Sequence, residues 1–186
     1  MYLKKKEVKL QNGQSVIFKS PEPEEAKEVL KHLQITSEET YFMARYPEEI
    51  VMTVDEEKEH LKKVNAHEDN FLLSAYLDGE MVGSAGISRV ADLMKYRHRG
   101  EFGISVKKKA WGLGVGRKMI EELLEQAKNT GFEQIELTVF EDNQRAISLY
   151  EKMGFVRIGR IPRAYKLKDN RYCDEIWMVY QIQRQR

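Results

Sequence analysis

Three glycines at alternate positions, Gly112, Gly114 and Gly116, separate two patterned runs, "RGEFGISV" and "GRKMIEELLEQAKNTG". The first is short and rich in small residues, as a strand is. The second puts Met119, Ile120, Leu123, Leu124 and Ala127 on one helical face and stops at Gly131, just past Thr130. Glycines at that density remove side chains from one side of a turn, so the backbone can lie directly against another group. Between Lys107 and Lys118 there are five basic residues and no acidic one. A strand feeding a glycine turn that opens a helix, with cations on both flanks, points to a mixed α/β chain with an anion at the turn.

The remaining elements fit that class. "EVKLQNGQSVIFK" holds Asn12-Gly13 between two alternating runs, and "FLLSAYLDGEMVGSAGISRV" repeats the device with Asp78-Gly79, so both predict hairpins. "SPEPEEAKEVLKHL" predicts a helix with Ser20 as N-cap and Ala26, Val29, Leu30 and Leu33 on its apolar stripe. "TSEETYFMARY" and "TVDEEKEHLKKV" predict two more. After the glycine turn and its helix come a strand "QIELTV", a short helix "NQRAISLYEKMG" and two strands, "FVRIGRIPRAYKL" and "YCDEIWMVY".

Composition narrows the function classes. The chain has 186 residues, 41% of them hydrophobic, enough for one ordinary core. A net charge of +1 supplies no field to recruit nucleic acid or an anionic membrane. No apolar run reaches the roughly 20 residues of a membrane span, and "MYLKKKEVKL" lacks the core of a signal peptide. The single cysteine, Cys173, forms no internal disulfide and fits a reducing, cytoplasmic setting. No His/Cys/Asp/Glu cluster has metal-ligand spacing, so no metal is expected.

Three ligand readings of the turn compete with a plain tight turn bearing solvated lysines. A nucleoside-triphosphate loop needs Gly-Lys-Ser/Thr, which is absent, and a dinucleotide fingerprint needs a different glycine spacing and an acidic end to the next strand. A pyrophosphate held by successive N–H groups at a helix start meets neither objection.

"EFGISVKKKAWGLGVGRKMIEELLEQAK" followed by "LTVFEDNQRAISLYEKMGF" resembles the acetyl-CoA-binding half of the GNAT acyltransferase superfamily. The first segment resembles its strand, pyrophosphate loop and helix, usually Q/R-x-x-G-x-G/A. The second resembles N-x-x-A-x-x-L-Y-x-x-x-G-F through Asn143, Ala146, Leu149, Tyr150, Gly154 and Phe155. Trp111 departs from the pattern, standing where Gln or Arg is most common. The resemblance implies one domain over 1–186, with acceptor-side helices and early strands in 1–95, the acetyl-CoA core in 96–160 and closing strands in 161–186. It implies a central, mostly antiparallel sheet flanked by helices, with acetyl-CoA at a splayed strand pair.

It further implies transfer of the acetyl group to a primary amine by direct attack, through a tetrahedral oxyanion, with CoA thiolate leaving. The cofactor-binding set is Ile104, Ser105, Val106, Trp111, Gly112, Leu113, Gly114, Val115, Gly116, Arg117, Asn143 and Lys152. Main-chain groups of Ile104, Ser105 and Val106 would pair with the pantetheine arm, and the Val106 N–H would face the thioester oxygen. Tyr150 is the expected acid for the sulfur, since a phenol stays protonated at neutral pH; packing is its alternative role. Asn143 either bonds the cofactor arm or caps its helix. Glu101 is the expected base, against a plain surface carboxylate at a strand end. His98 is a weaker base among Arg97 and Arg99, and His32, His60 and His67 read as solvated. Cys173 reads as a structural strand residue.

The acceptor side carries a charge signal. From Ser20 to Glu59 there are twelve acidic and four basic residues, so this segment stands at −8 and the remainder at +9. That suits a cationic acceptor such as a polyamine, an aminoglycoside or a protein N-terminus, and solvated helix faces explain it equally. Tyr41, Phe42, Tyr46, Tyr165, Tyr172 and Asp174 are candidates for the pocket wall. A non-catalytic acyl-CoA sensor of the same fold is the alternative function, and a homodimer a further expectation.

Overall fold

The computed structural model describes residues 1–183. Twelve regular elements follow one another: β1 (Lys6–Lys9), β2 (Ser15–Lys19), α1 (Ala26–Glu39), α2 (Val54–Ala66), β3 (Phe71–Leu77), β4 (Glu80–Arg89), β5 (Arg99–Val106), α3 (Val115–Asn129), β6 (Gln134–Phe140), α4 (Gln144–Lys152), β7 (Val156–Lys166) and β8 (Tyr172–Gln181). The strands form one sheet in the order β1-β2-β3-β4-β5-β6-β8-β7. Every neighbouring pair is antiparallel except β5 and β6. The mixed, mostly antiparallel α/β class is as expected. Both hairpin signals form turns, with positive φ at Gly13, Asp78 and Gly79.

Two layers of helix cover the sheet. The expected face of α3 is buried, with Val115 added to it, and it packs on Val82, Ala85, Phe102, Ile135 and Leu137. On the other face Ala26 and Val29 of α1 and Leu61 of α2 close on Tyr76 and Met81. Removing this much apolar surface from water is the main term that holds helices to sheet.

Two helix expectations fail. Ser20 does not cap α1. It is fully buried, accepting the Leu3 N–H and donating to the Leu72 carbonyl, both at 2.9 Å. Pro21 and Pro23 keep the chain extended until a short 3-10 turn at Pro23–Glu25, where the Glu25 carboxylate accepts the Glu22 N–H at 2.8 Å. "TSEETYFMARY" forms no helix of its own. Its first residues finish α1, and Thr40 turns extended. Tyr41 and Phe42 then leave the helix axis to pack on Phe140, with ring centroids 6.0 and 5.8 Å away. Aromatic burial overrides local helical preference.

The feature that shapes the site is the β5–β6 seam. These strands pair only at Arg99–Gln134, Gly100–Ile135 and Glu101–Glu136, and then diverge. Beyond Glu101, β5 pairs with no strand other than β4 among the described residues.

Candidate active site

Register decides which groups of β5 face the opening. Lys107 N–H bonds to Val82 O at 2.9 Å, and Val90 N–H bonds to Arg99 O at 3.2 Å, so odd-numbered residues of β5 turn their main chain to β4. Even-numbered residues, Phe102, Ile104 and Val106, turn theirs into the seam. Ser105 differs from the expectation drawn for it: its main chain pairs with Ser84, and its hydroxyl is taken by His32 at 2.9 Å. The Val106 carbonyl accepts the Trp111 indole N–H at 2.6 Å, which leaves the Val106 N–H as the donor facing the seam.

The glycine turn follows. A 3-10 turn at Lys108–Ala110 leads to Gly112 and Gly114, both left-handed at φ +80° and +88°, and Gly114 is the N-cap of α3. Main-chain hydrogen bonds end at Trp111 N–H and resume at Lys118 N–H, which bonds to Gly114 O. The six N–H groups of Gly112, Leu113, Gly114, Val115, Gly116 and Arg117 meet no protein acceptor among the described residues. They lie at the positive end of a 15-residue helix. A Cβ at Gly112 or Gly114 would meet nothing within 4 Å, so the glycines are required by φ and leave open space in front of the turn.

The cationic flanks are less available than their sequence suggests. Lys107 and Lys109 both bind Glu80, the first at 3.1 Å. Arg117 and Lys118 both bind Glu121, at 2.9 and 2.8 Å.

Tyr150, near the end of α4, packs edge-on to Phe102 with centroids 6.2 Å apart and against Phe155 at 5.8 Å. It is 8% exposed, and its hydroxyl makes no protein hydrogen bond among the described residues. Burial raises its pKa, so it stays a phenol. Asn143 caps α4, accepting the Ala146 N–H at 3.3 Å through its side-chain oxygen, which leaves its amide group able to donate. Lys152 is exposed in the last turn of α4, seven residues from Arg145 and so about 10 Å along the axis from the end that meets the glycine turn.

On the opposite face of the seam, Glu101, Gly103 and Thr138 are exposed. Glu136, beside Glu101 in register, is 8% exposed and bound by the Arg99 guanidinium, one contact at 2.7 Å, which holds its carboxyl below the usual range. Phe140 stacks on Tyr165 with centroids 3.9 Å apart, and Tyr41 and Phe42 pack beside them. Tyr46 lies further out, its hydroxyl accepting the Lys168 N–H at 3.0 Å. Tyr172 is covered by the Arg163 guanidinium at 3.9 Å, and Asp174 is paired with Arg160 at 2.5 Å. Of the six expected wall residues, the structure brings Tyr41, Phe42 and Tyr165 together. Most of the acidic residues of the −8 segment serve caps and local pairs, such as Glu25 with Lys19, Glu48 with Lys168 and Glu59 with Lys62.

His32, expected in solvent, lies inside the protein. His32 has no exposed surface; burial and the nearby Lys107 charge push its pKa down to about 4. It joins α1 to the strand that lines the seam. Cys173 is buried against Phe140 and Leu167, and burial pushes its thiol up, away from nucleophilic use. His98 is exposed, its carbonyl accepting the Glu133 and Gln134 N–H groups.

Comparison with known proteins places this arrangement. The chain is 36% identical over 108 residues to the L-amino acid N-acetyltransferase AaaT of Escherichia coli, covering 58% of this chain and 65% of that protein. It is 34% identical over 98 residues to the N-alpha-acetyltransferase RimI of Mycobacterium tuberculosis, covering 53% of this chain and 60% of that one. The match thus spans less than two thirds of either relative. A GNAT-family acetyltransferase from Streptococcus pneumoniae superimposes with a TM-score of 0.86 at 29% identity, over 90% of this chain and 99% of that one. The fold is shared too with yncA of Salmonella typhimurium, solved with its cofactor acetyl-CoA, at a TM-score of 0.80 and 16% identity, over 92% of this chain and 96% of that one. The family model described as acetyltransferase (GNAT) family matches residues 36–155, from the last turn of α1 through α4, and so takes in the whole seam. The chain belongs to the GNAT family of acetyltransferases.

Proposed function

We propose that the chain is an N-acetyltransferase that moves the acetyl group of acetyl-CoA to a primary amine by direct attack, with both substrates bound together. The observation that carries this is the seam. The main chain of Ile104 and the N–H of Val106, unpaired among the described residues, open beside the six N–H groups of the turn, with the Tyr150 phenol below the sheet and the Glu101 carboxylate above it. These residues fit the cofactor: the N–H row suits a diphosphate, and a strand edge suits an amide-bearing arm.

Acetyl-CoA, when bound, supplies a thioester carbonyl. The Val106 N–H stabilises negative charge developing on that oxygen. Tyr150 donates its proton at the sulfur as the thiolate departs. Glu101, exposed on the face lined by Tyr41, Phe42 and Tyr165, takes the proton from the incoming ammonium, directly or through water. In this reading residues 96–160 hold the cofactor, while 1–95 and 161–186 build the acceptor side of a single domain. The named relatives support an α-amine as acceptor, of an amino acid or of a protein N-terminus. Polyamines and aminoglycosides are less favoured, because neither named relative acts on one by its name.

Release of free thiol from acetyl-CoA tests this against a panel of L-amino acids, short peptides with free N-termini, and spermidine. Turnover on an amine, lowered by Glu101→Gln most strongly at pH values where the amine is largely protonated, supports it. Tight acetyl-CoA binding with no amine consumed replaces it by an acyl-CoA-binding module.

A further inference from the structure

The family pattern most often supplies a polar side chain, Gln or Arg, at the position of Trp111. Of the five cations flanking the glycines, four are tied to Glu80 or Glu121. The turn would therefore present main-chain donors with little uncommitted side-chain charge. One guanidinium stands close by. The Arg145 guanidinium carbon lies 4.3 Å from the centroid of the Trp111 ring. Arg145 makes no ion pair or hydrogen bond among the described residues, and partial burial pulls its pKa down without removing its charge.

We propose that Arg145 is the side-chain ligand of the acetyl-CoA diphosphate, and that Trp111 is the platform that holds it in place. The proposal rests on the acetyl-CoA reading above.

Three features carry it. Arg145 and Leu149 are four residues apart in α4 and share one helical face. Leu149 Cδ2 lies 3.6 Å from where a Cβ on Gly116 would be, so that face runs along the first turn of α3, past the unpartnered N–H groups. Second, the platform is itself fixed, because the Trp111 indole N–H is bonded to the Val106 carbonyl at 2.6 Å. Third, stacking occupies only the flat face of a guanidinium. Its five N–H donors lie in the plane at the edge and stay free to bond phosphate oxygens. The Lys108 ammonium is 5.9 Å from the same ring, a longer contact than that of Arg145. Trp111 thus substitutes for the missing polar side chain by positioning one from another helix.

The test is calorimetric binding of CoA and of dephospho-CoA, which keeps the diphosphate and lacks the 3′-phosphate. Arg145→Ala is expected to weaken both ligands by about tenfold, by the same factor, and to flatten the dependence of affinity on salt. Arg145→Gln, which keeps a stem over the indole, is expected to lose as much, and Arg145→Lys to recover only part. Trp111→Leu is expected to weaken both ligands, after which adding Arg145→Ala costs less than about threefold more, since contacting residues are not additive. Affinity within about twofold of wild type in Arg145→Ala overturns the proposal. A loss for CoA and none for dephospho-CoA overturns the diphosphate assignment. An undiminished effect of Arg145→Ala in the Trp111→Leu background overturns the platform. Failure of the unmodified protein to bind CoA at all overturns the cofactor reading itself, and this with it.

Discussion

The His32 imidazole in α1 meets the Ser105 hydroxyl in β5 at 2.9 Å, across 73 residues of sequence, with His32 fully buried. Ser105 lies between the two residues whose main chain opens into the seam, so this bond sets the depth of α1 against the cofactor strand. His32 has a folded pKa of about 4, below its ordinary value, so the unfolded chain binds the proton more readily. Stability is therefore full above about pH 6.5 and is lost as pH falls toward 4, by about 3 kcal/mol in all. Thermal melting between pH 4 and 7.5 should show this acid limb in the native protein and a flatter one in His32→Gln. Equal limbs in the two proteins would remove His32 as the cause.

Glu57 behaves in the opposite sense. It is 3% exposed on the inner face of α2, and burial alone raises its pKa to about 7. A carboxyl that prefers to stay protonated when folded contributes stability that is present below about pH 4.5 and fades as pH rises through 7. Glu57→Gln should thus raise the melting temperature at pH 8 and leave it nearly unchanged at pH 5. A Tm that drops at pH 8 would mean that the ionised form has a partner.

Tyr150→Phe should lower turnover by about a hundredfold while acetyl-CoA affinity holds. Its hydroxyl has no protein partner among the described residues, so deletion orphans nothing there, and the ring contacts with Phe102 and Phe155 are kept. The melting temperature should be unchanged or slightly higher. Unaltered turnover would leave Tyr150 with packing alone.

The glycines of the turn should separate by backbone conformation. Gly114→Asp forces a side chain onto φ +88° and puts a carboxylate before the N–H row, so CoA binding should be lost. Gly116 is helical, and a Cβ there makes ordinary contacts, the nearest at 3.6 Å to Leu149. Gly116→Ala should keep CoA affinity within a few-fold. Titration of both variants by calorimetry checks the pair; native affinity in a folded Gly114→Asp would sink the phosphate assignment.

What the sequence revealed was what local chemistry decides. The turn glycines, the apolar stripe of α3, the Asp78-Gly79 hairpin and the Asn143 cap each follow from residues a few positions apart. His32 was misread because a polar residue beside the stripe of Ala26, Val29, Leu30 and Leu33 is ordinarily turned outward. Its partner lies on another element altogether. The same holds for Arg145, whose platform is 34 positions away, and for Lys107 and Lys109, which Glu80 claims from the start of β4. Tyr41 and Phe42 read as helix because their aromatic destination, Phe140, is invisible to local propensity.

Three rungs of pairing between β5 and β6 have a mechanical consequence. The sheet is two leaves, β1 to β5 and β6 to β8, stapled at one end by Arg99 and Glu136 and kept together elsewhere by the apolar layer under α3. A molecule threaded into the gap adds rungs where the leaves have none. Filling the gap and completing the sheet are then one event, and the amide protons of Ile104 and Val106 should pass from rapid to slow exchange with solvent when it is filled.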